Sequence, residues 1–414
     1  MAKITPFKGL RPTRQLAAEV ATLPYDVVSV AEAREFKKDP YNFYHVTRAE
    51  IDLPNEVDVH SQEVYDMAKT NLDAMIQNGV MIQDKEPCYY IYELVMNGRS
   101  QTGLLCGSSV DDYNNGIVKK HEFTRPEKEL DRINHIKTTG AETGIVFLAY
   151  NDCDSVQQII YDWKKGHAAE YDFTATDGVR HILWVVNDAA KVAAITRHFS
   201  EDVPCTYIAD GHHRAASAAK VCKDMQDNNT ALKSDAPANY FVTCIFPASQ
   251  LEIMDYNRVA KDLNGNSAEE FLQKLTNDFD VSLPSDEAYK PMDPHHIGMY
   301  LDGRWYELLA KPGTYSKDPI GILDVTILQK NVLDKLLDIK DPRVDKRVDF
   351  VGGIRGMGAL EKRVDSGEAA AAFSLYPVTI QQLFDIADSG NVMPPKSTWF
   401  EPKLRDGLVV YMIS

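Results

Sequence analysis

Thr206-Tyr-Ile-Ala-Asp210-Gly211-His212-His213-Arg214-Ala-Ala-Ser-Ala-Ala219 reads as a strand that breaks at Asp-Gly and enters an Ala-rich helix. The apolar, strand-forming run before Asp210 and the helix-forming alanines after Arg214 set the two periods, and Gly211 supplies the backbone freedom for the turn between them. The first turn of a helix carries free N–H groups and the positive end of the macrodipole, so this junction suits an anion. Arg214 adds a planar, permanently charged fork, and Asp210 could cap the helix or hold a metal. The alternative is a capped helix with solvated polar residues. Four polar groups on one turn favour the ligand reading.

Outward from this junction, helix and strand signals alternate. Val57, Val64, Met67, Ala68, Leu72, Met75 and Ile76 keep a helical period over 56–78 before Asn78-Gly79 stops it. Segments 88–94 and 101–109, separated by Asn97-Gly98, predict a hairpin, as does 171–186. Strands are expected at 145–150 and 240–246, with helices at 156–163 and 188–198. After the Pro247-Ala-Ser turn a second series begins, with strands at 347–351, 370–376 and 408–413 and helices at 359–366 and 379–388. The expected fold class is α/β, in the sense of an α+β mixed sheet. The domains are expected at 1–248, carrying the phosphate-binding and catalytic residues after an N-terminal extension, and at 249–414, a C-terminal α/β domain.

With 414 residues, 44% hydrophobic and 9% aromatic, the chain has the composition of a globular protein long enough for two cores. A net charge of -16 argues against a nucleic-acid partner, so an anionic substrate would need a local cluster of cations. No apolar run approaches the ~20 residues that span a bilayer, and Met1-Ala-Lys-Ile-Thr-Pro-Phe7 lacks the apolar core of a signal peptide. Six cysteines without a C-x-x-C pair fit a reducing compartment. A cytoplasmic location and no membrane partner are expected.

Two further clusters could carry chemistry. In His121-Glu122-Phe-Thr-Arg125-Pro126-Glu-Lys-Glu129-Leu-Asp131-Arg132, Pro126 opens a helix, and His121 and Glu122 lie on the loop that leads in. Glu122 could act as a general base or hold a metal, while Arg125 and Arg132 could meet phosphate oxygens. Glu127, Glu129 and Asp131 are explained by the helix dipole; the His121-Glu122 pair is not. In Met393-Pro-Pro-Lys396-Ser397-Thr398, an ammonium and two hydroxyls follow two prolines, suited to phosphate or a small polar substrate, or merely to a Pro-rich connection. Gly352-Gly353-Ile-Arg355-Gly356-Met-Gly358 has the strand-to-helix context of a phosphate loop but lacks its Lys-Ser/Thr. There is no G-x-S-x-G elbow, HExxH or paired C-x-x-C.

Asp210-Gly-His-His-Arg214 at a strand–helix junction resembles the phosphate-binding box of the ParB/sulfiredoxin superfamily. Pro24-Tyr25-Asp26-Val27, His121-Glu122, Thr124-Arg125, Asp131-Arg132, Asp210 to Arg214, and Met393 to Thr398 with Phe400 and Pro402-Lys403 occur in order over nearly the whole chain. In this they are similar to a bacterial uncharacterised-domain family of this length. Within the superfamily the chain resembles free serine kinases. The resemblance implies a ParB/sulfiredoxin-like core and transfer of a phosphoryl group to free L-serine, with Glu122 as base and His121 as a further catalytic residue. Gly211, His212, His213 and Arg214 would hold phosphate, aided by Arg125, Arg132 and Lys396; His212 would also be catalytic, and Ser397 and Thr398 would meet substrate. Mg²⁺ would be the cofactor, with Asp210 as its contact. Pyrophosphate, ADP or ATP would be the donor; the long segment 123–209 could replace an adenine pocket, and the missing P-loop with the cationic cluster favours pyrophosphate. The alternative is a nucleotide-binding regulatory or sensor protein without kinase activity.

Overall fold

Asn97 and Gly98 both take left-handed backbone, with φ of 53° and 78°, the geometry that matches a two-residue turn to the twist of its strands. They join two long neighbouring strands of a nine-stranded sheet. The computed structural model describes residues 1–228, 232–233 and 235–413. In chain order the sheet comprises Ile4–Thr5 (β1), Tyr89–Met96 (β2), Arg99–Ser109 (β3), Val118–Lys119 (β4), Val146–Tyr150 (β5), Tyr171–Thr174 (β6), Arg180–Val186 (β7), Thr206–Asp210 (β8) and Tyr240–Pro247 (β9). Their order is β4-β8-β5-β9-β3-β2-β7-β6, with β1 on β3. The sheet is mixed: β8 runs parallel to β4 and β9 parallel to β5, whereas the other pairs are antiparallel.

Two helices matter for the site, Pro126–Thr139 (α1) and His212–Asn228 (α2). Ala215, Ala218, Ala219 and Cys222 of α2 join Leu104, Leu148, Ile208 and Phe241 of the sheet in one core. The small side chains let the helix lie close over the strands. The expected helix over 56–78 begins at Gln62, after Ser61, and ends at Gln77.

The chain divides into two compact units, Met1–Leu251 with Pro402–Ser414, and Glu252–Glu401. The division lies close to the turn at 247–249, but residues 402–414 return to the first unit. There the strand expected at 408–413 is reduced to Tyr411–Met412, paired with Ala141–Glu142, and a bridge between Val410 and Leu10. The second unit holds a six-stranded sheet in the order Phe279–Val281, Arg304–Ala310, His296–Leu301, Ala371–Leu375, Tyr256–Ala260, Val348–Gly352, antiparallel throughout. The architecture is α+β with mixed sheet. All six cysteines are free, and no described helix is long and apolar enough to cross a membrane.

Candidate active site

Parallel pairing assembles this site. Val118 and Lys119 of β4 lie opposite Thr206 and Tyr207 of β8, so both strands leave the sheet at the same edge. The residues that follow, His121-Glu122 and Gly211-His212, therefore meet although some ninety residues separate them. Gly211 has φ of 98°, and a Cβ there would lie 3.1 Å from Cζ and Nε of Arg214. Its carbonyl accepts from Ala215 N–H at 3.0 Å, so Gly211 occupies the cap position of α2. Asp210 does not cap the helix. Its Oδ2 accepts from Lys403 Nζ at 3.1 Å.

The two imidazoles of the turn hold the loop that carries Glu122. His212 Nε2 accepts from the backbone N–H of His121 at 3.4 Å, and His213 Nε2 accepts from that of Arg125 at 3.0 Å. An accepting Nε2 on a neutral ring leaves the proton on Nδ1, and His212 Nδ1 lies 3.8 Å from Glu122 Oε2. Burial, with His121 adding to it, holds the His212 pKa well below its ordinary value. The ring is thus neutral at pH 7 and directs an N–H toward a carboxylate that is 40% exposed. His212 thus meets the incoming loop through Nε2 and faces Glu122 through Nδ1. His121 is 2% exposed, its ring packs edge-on to that of His212 at 4.5 Å, and among the described residues neither ring nitrogen has a partner at hydrogen-bond geometry. Burial pushes its pKa down to about 4.

Arg214 is buried and donates to Ile145 O. Its Nη2 lies 3.7 Å from Asp26 Oδ2 and 3.6 Å from Asp210 Oδ1. Against burial, these carboxylates raise its pKa. Asp210, opposed by burial but faced by Lys403 and Arg214, is held well below the usual carboxylate range. Asp406 is buried, and burial raises it to about 7, with Arg214 opposing. The two cations thus face Asp26 and Asp210, so their charge is met by carboxylates.

Beside Asp26 lies a cavity of about 320 Å³ whose walls include Arg48, His60, Tyr65, Arg132 and His135. Arg132 sits over the Tyr25 ring, its Cζ 3.9 Å from the centroid, and pairs with Asp131 at 2.6 Å. Asp131 also accepts from Tyr65 Oη and meets His60 Nδ1, each at 3.0 Å. Arg125 is exposed at the mouth of α1.

Lys396, Ser397 and Thr398 belong to the second unit, where Ser397 Oγ donates to Pro394 O at 2.6 Å. In the Gly352–Gly358 stretch a Cβ on Gly353 would lie 2.4 Å from Asp255 Oδ1, and one on Gly352 3.1 Å from Trp399. These two glycines are explained by close packing. Among the described residues no group of three or more His, Cys, Asp or Glu is arranged to hold a metal. Asp26, Lys403 and Asp406 were not foreseen as site residues. Asp26 and Lys403 stood in the sequence landmarks, but nothing local ties them to a turn near residue 210.

A family model described as "Protein of unknown function (DUF1015)" matches residues 4–326, and the chain belongs to that family. No curated protein matches the chain. Among solved structures it is similar to a free serine kinase variant in complex with AMP, at 12% identity over 72% of this chain and 86% of that one, with a TM-score of 0.37. It is also similar to a conserved hypothetical protein from Pyrococcus furiosus, at 14% identity over 75% and 95%, with a TM-score of 0.36. A third likeness is to SbnI with C-terminal truncation from Staphylococcus aureus, at 10% identity over 74% and 86%, with a TM-score of 0.36.

Proposed function

We propose that the chain is a small-molecule kinase that phosphorylates free L-serine, with pyrophosphate, ADP or ATP as donor. The observation that carries this reading is the partly exposed Glu122 carboxylate facing His212 Nδ1 at 3.8 Å, at the mouth of a helix whose first turn holds Arg214. A carboxylate base beside a helix N-terminus is a pair of parts that phosphoryl transfer needs.

On this reading Glu122 accepts the proton of the serine hydroxyl as its oxygen bonds to phosphorus. The bond from phosphorus to the donor's bridging oxygen breaks, which yields O-phosphoserine and, from pyrophosphate, orthophosphate. The N–H groups of the first turn of α2 and the Arg214 guanidinium receive the phosphate oxygens. His212, through Nδ1–H, orients Glu122, and His213 holds the same loop at Arg125; both are positioning residues. His121 supports the His212 ring from behind. Asp26 and Asp210, with side chains 30% and 32% exposed, fit a Mg²⁺ that arrives on phosphate, since that ion needs one or two carboxylates rather than a cage of protein ligands. Bound there, Mg²⁺ would neutralise phosphate charge. The cavity beside Asp26 has room for the acceptor.

Purified protein with Mg²⁺ and L-serine, supplied in turn with pyrophosphate, ADP and ATP and followed by phosphorus NMR, tests the reading. O-phosphoserine is the expected product. Its absence with every donor would leave a nucleotide-binding or sensor protein in place of a kinase.

A further inference from the structure

The buried arginines of this chain divide unequally. Arg11 meets Asp84 at 2.8 Å, Arg132 meets Asp131 at 2.6 Å, Arg214 meets Asp26 at 3.7 Å, and Arg405 meets Asp177. Arg258, in the second unit and 2% exposed, has no carboxylate within ion-pair reach among the described residues. Alternation along its strand gives the reason. Asp255 and Asn257 share one face, where Asn257 Nδ2 donates to Asp255 Oδ2 at 2.6 Å, while Tyr256 and Arg258 share the other. Arg258 donates to Tyr256 O and, at 3.2 Å, to Pro395 O, and it lies 4.8 Å from the Phe350 ring centroid. A guanidinium has five N–H groups, and a buried charge is costly without a counter-ion. Burial with no acid at hand pulls Arg258 down to about 9, the opposite of the raised Arg11 and Arg214.

A second cation converges on the same place. Lys396 follows Pro395 in left-handed backbone, with φ of 58°, and its Nζ lies 5.8 Å from the Tyr256 ring centroid. Arg258 Cζ lies 5.7 Å from that centroid. Trp399 packs edge-on against the ring at 5.0 Å. Two cations thus lie within 6 Å of the centroid of one aromatic ring, and neither has a carboxylate partner among the described residues.

We propose that Arg258 and Lys396 form a phosphate-binding subsite in the second unit, which receives the dianionic phosphoryl group of a small molecule. Two cations match the charge of a phosphate dianion, and the planar fork of arginine matches its oxygens. The Met393 to Thr398 stretch then has a purpose. Pro395 gives its carbonyl to Arg258 and delivers Lys396, while Ser397, bonded to Pro394 O, closes the turn.

This subsite does not depend on the kinase reading, and the two can be tested apart. Inorganic phosphate and pyrophosphate are titrated calorimetrically into the full chain carrying Arg214→Ala, which weakens the first-unit site, and into the same chain with Arg258→Gln or Lys396→Ala added. The Arg214→Ala chain should retain a phosphate-binding event. Arg258→Gln should weaken that event about tenfold or more, the loss expected for a charged hydrogen bond, and Lys396→Ala should weaken it severalfold. No residual binding in Arg214→Ala, or residual binding that neither added change alters, overturns the proposal. Lys396 is exposed, so its variant decides the matter if Arg258→Gln does not fold.

Discussion

Replacing His121 by Phe should make the protein's stability less sensitive to acid. The native ring is 2% exposed and has a pKa pushed from 6.5 down to about 4 by burial. An imidazole depressed in the native state takes its proton first in the unfolded chain. Between these two values the unfolded state binds more protons, and stability is lost as pH falls. With the pKa near 4 in the native state and 6.5 in the unfolded one, His121 costs the native state about 2 kcal/mol at pH 5 and about 0.2 kcal/mol at pH 7. Phe cannot titrate. Its extra volume adds a packing cost of about 1 to 3 kcal/mol, but that cost does not depend on pH, so the difference between the two pH values isolates the proton. Urea unfolding of wild type and His121→Phe at pH 7 and pH 5, followed by circular dichroism, should show the variant gaining about 2 kcal/mol relative to wild type on acidification. An equal difference at both pH values would mean that His121 protonates normally in the folded protein, and the neutral, buried ring described for the site would be wrong.

Glu122→Gln keeps size and hydrogen bonding but removes the base, so steady-state turnover should fall by ~10²-fold or more while calorimetry finds donor affinity unchanged. Arg214→Ala removes a charge-assisted contact and should weaken first-unit pyrophosphate binding by roughly 1.5 to 3 kcal/mol; equal affinity would exclude Arg214 as a ligand. Gly211→Ala forces a side chain onto φ of 98° and against Arg214 at 3.1 Å. Thermal unfolding should report a loss on the order of 1 to 3 kcal/mol, and an unchanged midpoint would refute strain at that turn.

Local signals in this chain are legible because they are short. The Asn97-Gly98 turn, the Ala-rich entry into α2, and Pro126 opening α1 each depend on a few neighbouring residues, and each is found where the pattern puts it. The juxtaposition of His121-Glu122 with the 210–214 turn followed from two resembling motifs, but its physical cause is the parallel pairing of β4 with β8, a choice between distant strands that neither motif encodes. Asp26 and Lys403 reach the turn from opposite ends of the chain, and no periodicity links positions so far apart. The aim of the histidines was likewise a tertiary matter. Sequence places two imidazoles at a helix start, where solvent would leave them chargeable, but only burial against the 121–125 loop makes them neutral and turns them inward. Arg258 is the clearest case: in sequence it is one cation in a strand, and its missing counter-ion emerges only when strand alternation sends Asp255 to the other face.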